Sequence, residues 1–176
     1  MLRVFVISLL ICVSTVSSHA REFGNIFGSE ATERASTDAS VEALSALMRI
    51  IEGIRLRELQ KASGIDQFVA AAEQLRNAAN IMNSVLESEF DNSEFSDENK
   101  ALVSALFETS SFGQLGELPI NPRQLYQYFQ SMTESFAAII EESATENMDV
   151  AVYPNISEYI NDYLDCAALV TQLSPR

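Results

Sequence analysis

Apolar residues recur at a spacing of three and four along most of the chain, the signature of amphipathic helices. Leu44, Leu47, Met48, Ile51, Ile54 and Leu59 fall near one stripe and predict a first helix from about Ser40 to Ala62. Ser40 or Asp38 is placed to cap its start, and Ser63-Gly64 to end it, because glycine tolerates the left-handed conformation of a helix terminus. A second helix is predicted from about Gln67 to Ser88, with Asp66 as cap and Phe68, Ala72, Leu75, Ala79, Met82 and Leu86 as its apolar face. The polar run FDNSEFSDEN then interrupts the pattern.

A shorter third helix, about Asp97 to Thr109, is capped by Ser96 and carries Asp97 and Glu98 in its first turn, where negative charge suits the helix dipole. Leu102, Val103, Leu106 and Phe107 are its inward candidates. The loop SSFGQLGELPI follows, with two glycines and a proline. The fourth helix has the sharpest start. Asn121 caps it, and Pro122 takes the first helical position, where its missing N–H costs nothing. Leu125, Phe129, Met132, Phe136, Ile139 and Ile140 then keep helical spacing as far as about Thr145. After the connector NMDVAVYP, a fifth helix runs from about Ile156 to Gln172, with Asn155 and Glu158 at capping-box spacing and Tyr159, Ile160, Tyr163, Leu164, Ala167 and Val170 along one side.

The first twenty residues read differently. Arg3 is followed by the apolar run Val4 to Val13, and Ser18-His19-Ala20 places small residues at the −3 and −1 positions of a cleavage site. The run is shorter than the roughly 20 residues that span a bilayer, so it predicts a secretory signal rather than an anchor. The expected division is a signal peptide over 1–20, a flexible N-terminal arm over 21–38 and an acidic helical-bundle domain over 39–176. Phe23, Ile26 and Phe27 in the arm can dock on the body. The fold class expected is all-α, a single bundle of about five helices with a mobile N-terminal arm.

Composition narrows the chemistry. The chain has 176 residues and a formal net charge of −14 at pH 7. Its only histidine, His19, and one of its two cysteines, Cys12, lie in the signal segment. A mature chain without histidine has no Ser-His-Asp triad, no Cys-His pair and none of the usual zinc sites. No Gly-rich phosphate loop or dinucleotide fingerprint is present. Strong negative charge opposes nucleic acid and anionic membrane surfaces, and no run after residue 20 is long enough to span a membrane. Glu141-Glu142 and Asp97-Glu98 lie about 100° apart on their helices, which does not suit an acid/base pair. The stretch DNSEFSDENK lacks the glycine and final glutamate of a calcium loop. No catalytic residue, cofactor or metal is therefore expected.

Two residues carry candidate modifications. Asn155-Ile156-Ser157 is a glycosylation sequon, with an unmodified helix cap as its alternative. Cys166 is unpaired in a mature chain, so an intermolecular disulfide and a buried free thiol are both open. Phe and Met at helical spacing form either a core or the lining of an apolar ligand cavity.

The order of elements resembles a known family. Residues 39–146 are similar to the later helices of the N-terminal domain of spider silk proteins, a secreted five-helix bundle rich in small residues, Met and acids. The resemblance rests on Asn121-Pro122 opening a helix that carries Ser131-Met132-Thr133-Glu134-Ser135-Phe136-Ala137, and on the preceding helix, bounded by Phe95-Ser96 and Phe107-Glu108-Thr109-Ser110-Ser111. The tryptophan of the family's first helix has no counterpart, and a helix with Cys166 stands after residue 146 where the family has silk repeats. The resemblance implies a self-associating protein whose dimerisation responds to pH and salt through acidic residues. The expected function is a secreted, non-enzymatic protein that acts by binding itself or another secreted protein in an extracellular, silk-like assembly. The alternatives are a secreted carrier of a small apolar ligand, and a salivary, venom or effector protein acting on a host partner.

Overall fold

The computed structural model describes residues 30–88, 92–109, 117–144 and 153–172. The predicted signal segment 1–20 and Phe23, Ile26 and Phe27 of the predicted arm lie outside these, as do parts of three of the four connecting segments. Among the described residues the protein is all-α, with five helices: α1 (Glu30–Glu58), α2 (Ser63–Glu87), α3 (Asp97–Thr109), α4 (Pro122–Ser143) and α5 (Tyr153–Gln172).

Helices α1 and α2 form an antiparallel hairpin, as their short connection requires. Thr32 near one end meets Ser88, and Arg49 reaches Gln67 and Gln74 midway. Helix α2 packs in turn on α4, α4 on α5, and α5 on α3. One core runs through the bundle, with Leu47, Phe68, Leu75, Met82, Phe136, Ile140, Ile156, Ile160 and Tyr163 all at 2% exposure or less.

Helix α1 begins well before the predicted Ser40, so residues 30–38 of the predicted flexible arm are helical. Their small polar residues, which suggest a loop by composition, satisfy themselves inside the helix. Thr37 Oγ1 donates to the Glu33 carbonyl at 3.0 Å, and Ser40 Oγ to the Ser36 carbonyl at 2.9 Å. Tertiary contacts complete the capture: Thr32 and Ala39 are buried, and Tyr126 Oη donates to Ser36 Oγ at 3.1 Å.

The turn between α1 and α2 also departs from expectation. Helix α1 ends at Glu58, and Gln60, not Gly64, takes the left-handed conformation, with φ 57°. Helix α2 starts at Ser63, ahead of the predicted Asp66 cap, and Ala62 before it makes no side-chain cap bond. Gly64 is needed for a different reason. A Cβ there would lie 2.9 Å from the Gly53 carbonyl oxygen and 2.7 Å from Arg57 Cγ. A Cβ on Gly53 would lie 3.0 Å from the Phe68 ring. The two glycines let the hairpin close at its base.

Helices α3 and α4 follow the sequence closely. The Asn99 amide donates to Ser96 Oγ at 3.3 Å. The Gln124 amide donates to Asn121 Oδ1 at 2.8 Å, while Gln124 Oε1 accepts from the Ile120 amide at 3.0 Å. This reciprocal pair fixes the entry into α4. The Phe95 amide donates to the Ile120 carbonyl at 2.9 Å and ties the entries of α3 and α4 together. Arg123 donates to the Leu86 carbonyl at the end of α2, a cation where the helix dipole favours one.

Candidate functional site

The feature the sequence pattern misassigns is on α1. Its buried face is made of small residues, Ala39, Ala43 and Ala46 together with Leu47 and Ile50. Val41 and Met48 are 57% and 51% exposed, and Leu44 and Ile51 are half-buried. These four stand at i, i+3, i+7 and i+10, one stripe on the side of α1 away from the alanines, with Leu44 also packed against the core. The larger side chains of the predicted core stripe therefore divide, and Met48 and Leu59 point outward. Leu102 of α3, also expected inward, is 44% exposed.

The stripe carries no charge from Val41 to Ile51, about 15 Å of helix. Glu33 and Arg34 stand before it. Glu52 and Arg55 stand after it, joined by two hydrogen bonds of 2.7 and 2.6 Å. The Arg55 guanidinium holds the Glu52 carboxyl below its usual range, and Glu52 raises Arg55 in return.

A shallow groove of about 310 Å³ lies between α2 and α4, lined by Arg76, Ala79, Asn80 and Glu134. Its lining is mixed, polar and apolar in comparable shares, and Arg76 pairs with Glu141. Phe68, Met82, Phe107, Phe129, Met132 and Phe136 are all buried in the core cluster. Thr133 stands among them, donating to the Phe129 carbonyl at 2.8 Å and lying 3.2 Å from Tyr163 Oη. Burial pushes the Tyr163 phenol up, and the Thr133 contact partly offsets that shift.

Cys166 is in the core at 1% exposure. Burial, with the Asp165 charge beside it, pushes its thiol up to about 12, so it is neither a ready nucleophile nor a metal ligand. A second chain cannot reach this sulfur unless α5 lifts from the bundle; of the two alternatives, the geometry is that of the buried thiol. Asn155 lies within the first turn of α5, which starts two residues earlier at Tyr153, so it is not the residue preceding the helix. Its side chain lies outside what the structure describes.

Among the described residues, no helix is long and apolar enough to cross a membrane, and no three His, Cys, Asp or Glu side chains are grouped to hold a metal ion. No family model, curated protein or solved structure matches the chain.

Proposed function

We propose that this is a secreted, non-enzymatic protein that works by association, with itself or another secreted protein, in an extracellular assembly of the kind silk proteins form. The observation that carries the proposal is the uncharged apolar stripe Val41, Leu44, Met48 and Ile51 on a chain of net charge −14. Scattered single apolar residues need no explanation, but a contiguous stripe in an otherwise acidic surface is what a binding face requires. A mature chain without histidine, whose one cysteine is buried, supports a binding role over a catalytic one. The burial of Phe68, Met82, Phe107, Phe129, Met132 and Phe136 in a closed core favours association over carriage of an apolar ligand.

The test is native mass spectrometry of the protein taken from its own secretion. The expected result is a chain beginning at Arg21, present in homo- or hetero-oligomers. A chain found only as a monomer carrying a small apolar molecule would replace association with the carrier reading. Intact chains extracted from membranes with Met1 in place would remove the secretory reading.

A further inference from the structure

At the entry of α4 the bundle presents a second apolar surface, apart from the α1 stripe. We infer that the chain's own N-terminal segment, residues 21–29, docks there, laying Phe23, Ile26 and Phe27 on Leu118 and Ile120. The inference rests on the secretory reading above for where that segment begins.

The seat follows from the register of the helices. Helix α2 runs antiparallel to α1, with Thr32 Oγ1 3.2 Å from Ser88 Oγ. It also runs antiparallel to α4, since Arg123 meets the Leu86 carbonyl and Glu141 meets Arg76. Helices α1 and α4 are therefore parallel, and the 3.1 Å bond from Tyr126 Oη to Ser36 Oγ puts those two residues at one level. Six residues before Ser36 is Glu30, where α1 starts, and six residues before Tyr126 is Ile120, just ahead of α4. The segment thus leaves α1 at the level of Ile120, on a bundle where one tyrosine side chain bridges the two helices. Its nine residues extend to about 30 Å at most, or about 14 Å as a helix, and either form reaches across.

The chemistry of the two partners matches. Leu118 and Ile120 are 47% and 45% exposed, on either side of the buried Pro119. The Ile120 carbonyl accepts from the Phe95 amide at 2.9 Å, and its amide donates to Gln124 Oε1 at 3.0 Å, so the surface is held in place. Phe23, Ile26 and Phe27 stand at i, i+3 and i+4, the spacing that sets three side chains on one helix face. Charge agrees as well. Arg21 balances Glu22, and cleavage after Ala20 adds a terminal amine, so the free end of the segment is positive at pH 7. Glu87 and Glu117 are exposed at this end of the bundle, while Arg123 and Lys100 are engaged by the Leu86 carbonyl and Glu94. To lie on the α1 stripe instead, the segment would have to reverse and run back beside α1 for about 17 Å before meeting Val41, eleven residues into the helix. The stripe is thereby left open for the associating partner.

The experiment uses the full chain, expressed with its own leader and collected from the medium. Phe27→Cys combined with Ile120→Cys is expected to form an intramolecular disulfide on mild oxidation, since docking brings the two Cα atoms within the roughly 7 Å that a bridge requires. Phe27→Cys combined with Met48→Cys is expected to bridge at least about tenfold more slowly, because its partner lies at the other surface. Cys166 is buried and stays out of both reactions. Alkylation of Ile120→Cys alone is expected to quicken about tenfold when Phe23, Ile26 and Phe27 are all changed to Ser, as the apolar cover is lost. Leu118→Cys, also at an exposed position, repeats this measurement if Ile120→Cys disturbs the entry of α4.

Equal alkylation rates with and without the three Ser substitutions, at both cysteine positions, would overturn the docking. A Met48→Cys pair that bridges as fast as the Ile120→Cys pair would overturn the seat. A disulfide that joins two chains, at a rate rising with protein concentration, would show that the segment docks on another copy and would overturn its place on its own bundle. N-terminal sequencing of the same material reads cleavage separately, so a chain that starts at Met1 removes the secretory reading and a chain that starts at Arg21 without the bridge removes only this inference.

Discussion

Gly64→Ala is the substitution on which helix propensity and packing disagree most clearly. Alanine is the better helix former by about 1 kcal/mol in a helix interior. Gly64 is the second residue of α2, where fewer backbone bonds are at stake and the gain is smaller. Against it stands the contact geometry: the new Cβ meets Arg57 Cγ at 2.7 Å, Gly53 O at 2.9 Å and Arg57 Cδ at 3.0 Å. The Arg57 stem can rotate aside, but the Gly53 carbonyl is part of the α1 backbone, five residues before the helix ends, and cannot. The hairpin must therefore open at its base, and overpacking of this kind costs about 1–3 kcal/mol. The net expectation is a loss of about 1–2 kcal/mol, or about 3–6 °C in Tm for a domain of this size. Thermal and urea unfolding of Gly64→Ala, Gly53→Ala and the pair would measure it. The two costs should not add, since helices separated by one substitution already have room for the other. Asn77→Ala, at an exposed position of α2, is the control, in which propensity acts without a clash and stability rises. If Gly64→Ala raised Tm as Asn77→Ala does, the close approach of the two glycines would not be what positions this hairpin.

Thr133→Val should cost about 1–3 kcal/mol, because it strands the Tyr163 hydroxyl in the core, and adding Tyr163→Phe should recover part of that loss in a double-mutant cycle by urea unfolding. Cys166 should resist alkylation at pH 8 until the protein is unfolded, with no reductant-sensitive dimer on gels; rapid native labelling would show that α5 opens readily. Asn121→Ala should lose about 1 kcal/mol through the cap to the Gln124 amide, read as a lowered urea midpoint with unchanged m-value. Burial, and secondarily Asp162, raises the Asp165 carboxyl above its usual value, so its ionisation opposes folding. Asp165→Asn should then be at least as stable as wild type at pH 7. The difference should shrink as pH falls through the raised folded-state value and be gone below the unfolded value near 3.8.

What the sequence made legible is what local chemistry decides. Asn121-Pro122 sets the start of α4 whatever surrounds it, and the Ser96 cap does the same for α3. The apolar face of α2 was readable because its buried positions, from Phe68 through Met82, keep one phase and no competing stripe exists. Residues 30–38 were not readable, because whether Ser, Thr and Ala stay helical there depends on Tyr126 and Ser88, respectively 90 and 56 residues from the Ser36 and Thr32 they bind. Gly64 was misread for a related reason. A glycine beside a turn serves either a left-handed backbone or a close approach, and only the position of Gly53 across the hairpin decides between them. For Cys166 the sequence leaves bridge and buried thiol equal, because only the packing of α5 on the core decides how far its sulfur is from solvent.

The outward stripe of α1 was hidden by the usual weighting of side-chain size. Leu44, Met48, Ile51 and Leu59 are bulkier than Ala39, Ala43 and Ala46, so periodicity alone assigns the bulk to the core. The structure divides them, with Leu47 and Ile50 inside, Leu44 half-buried against the core, and Met48 and Leu59 outside, and the glycines show why. Gly53 and Gly64 let α1 and α2 approach closely at the base of the hairpin, and a helix held that near its neighbour along its length has room for alanine, with Leu47 and Ile50 filling the remaining space. Close pairing with α2 thus leaves Val41 and Met48 on the free side of α1. An intramolecular contact built from small residues and an outward face built from large ones are two consequences of one arrangement. A substitution that forces α1 and α2 apart should therefore disturb the outward face as well as stability. Gly64→Ala should weaken association through this face even though Gly64 lies outside the stripe, and association untouched by that opening would separate the two.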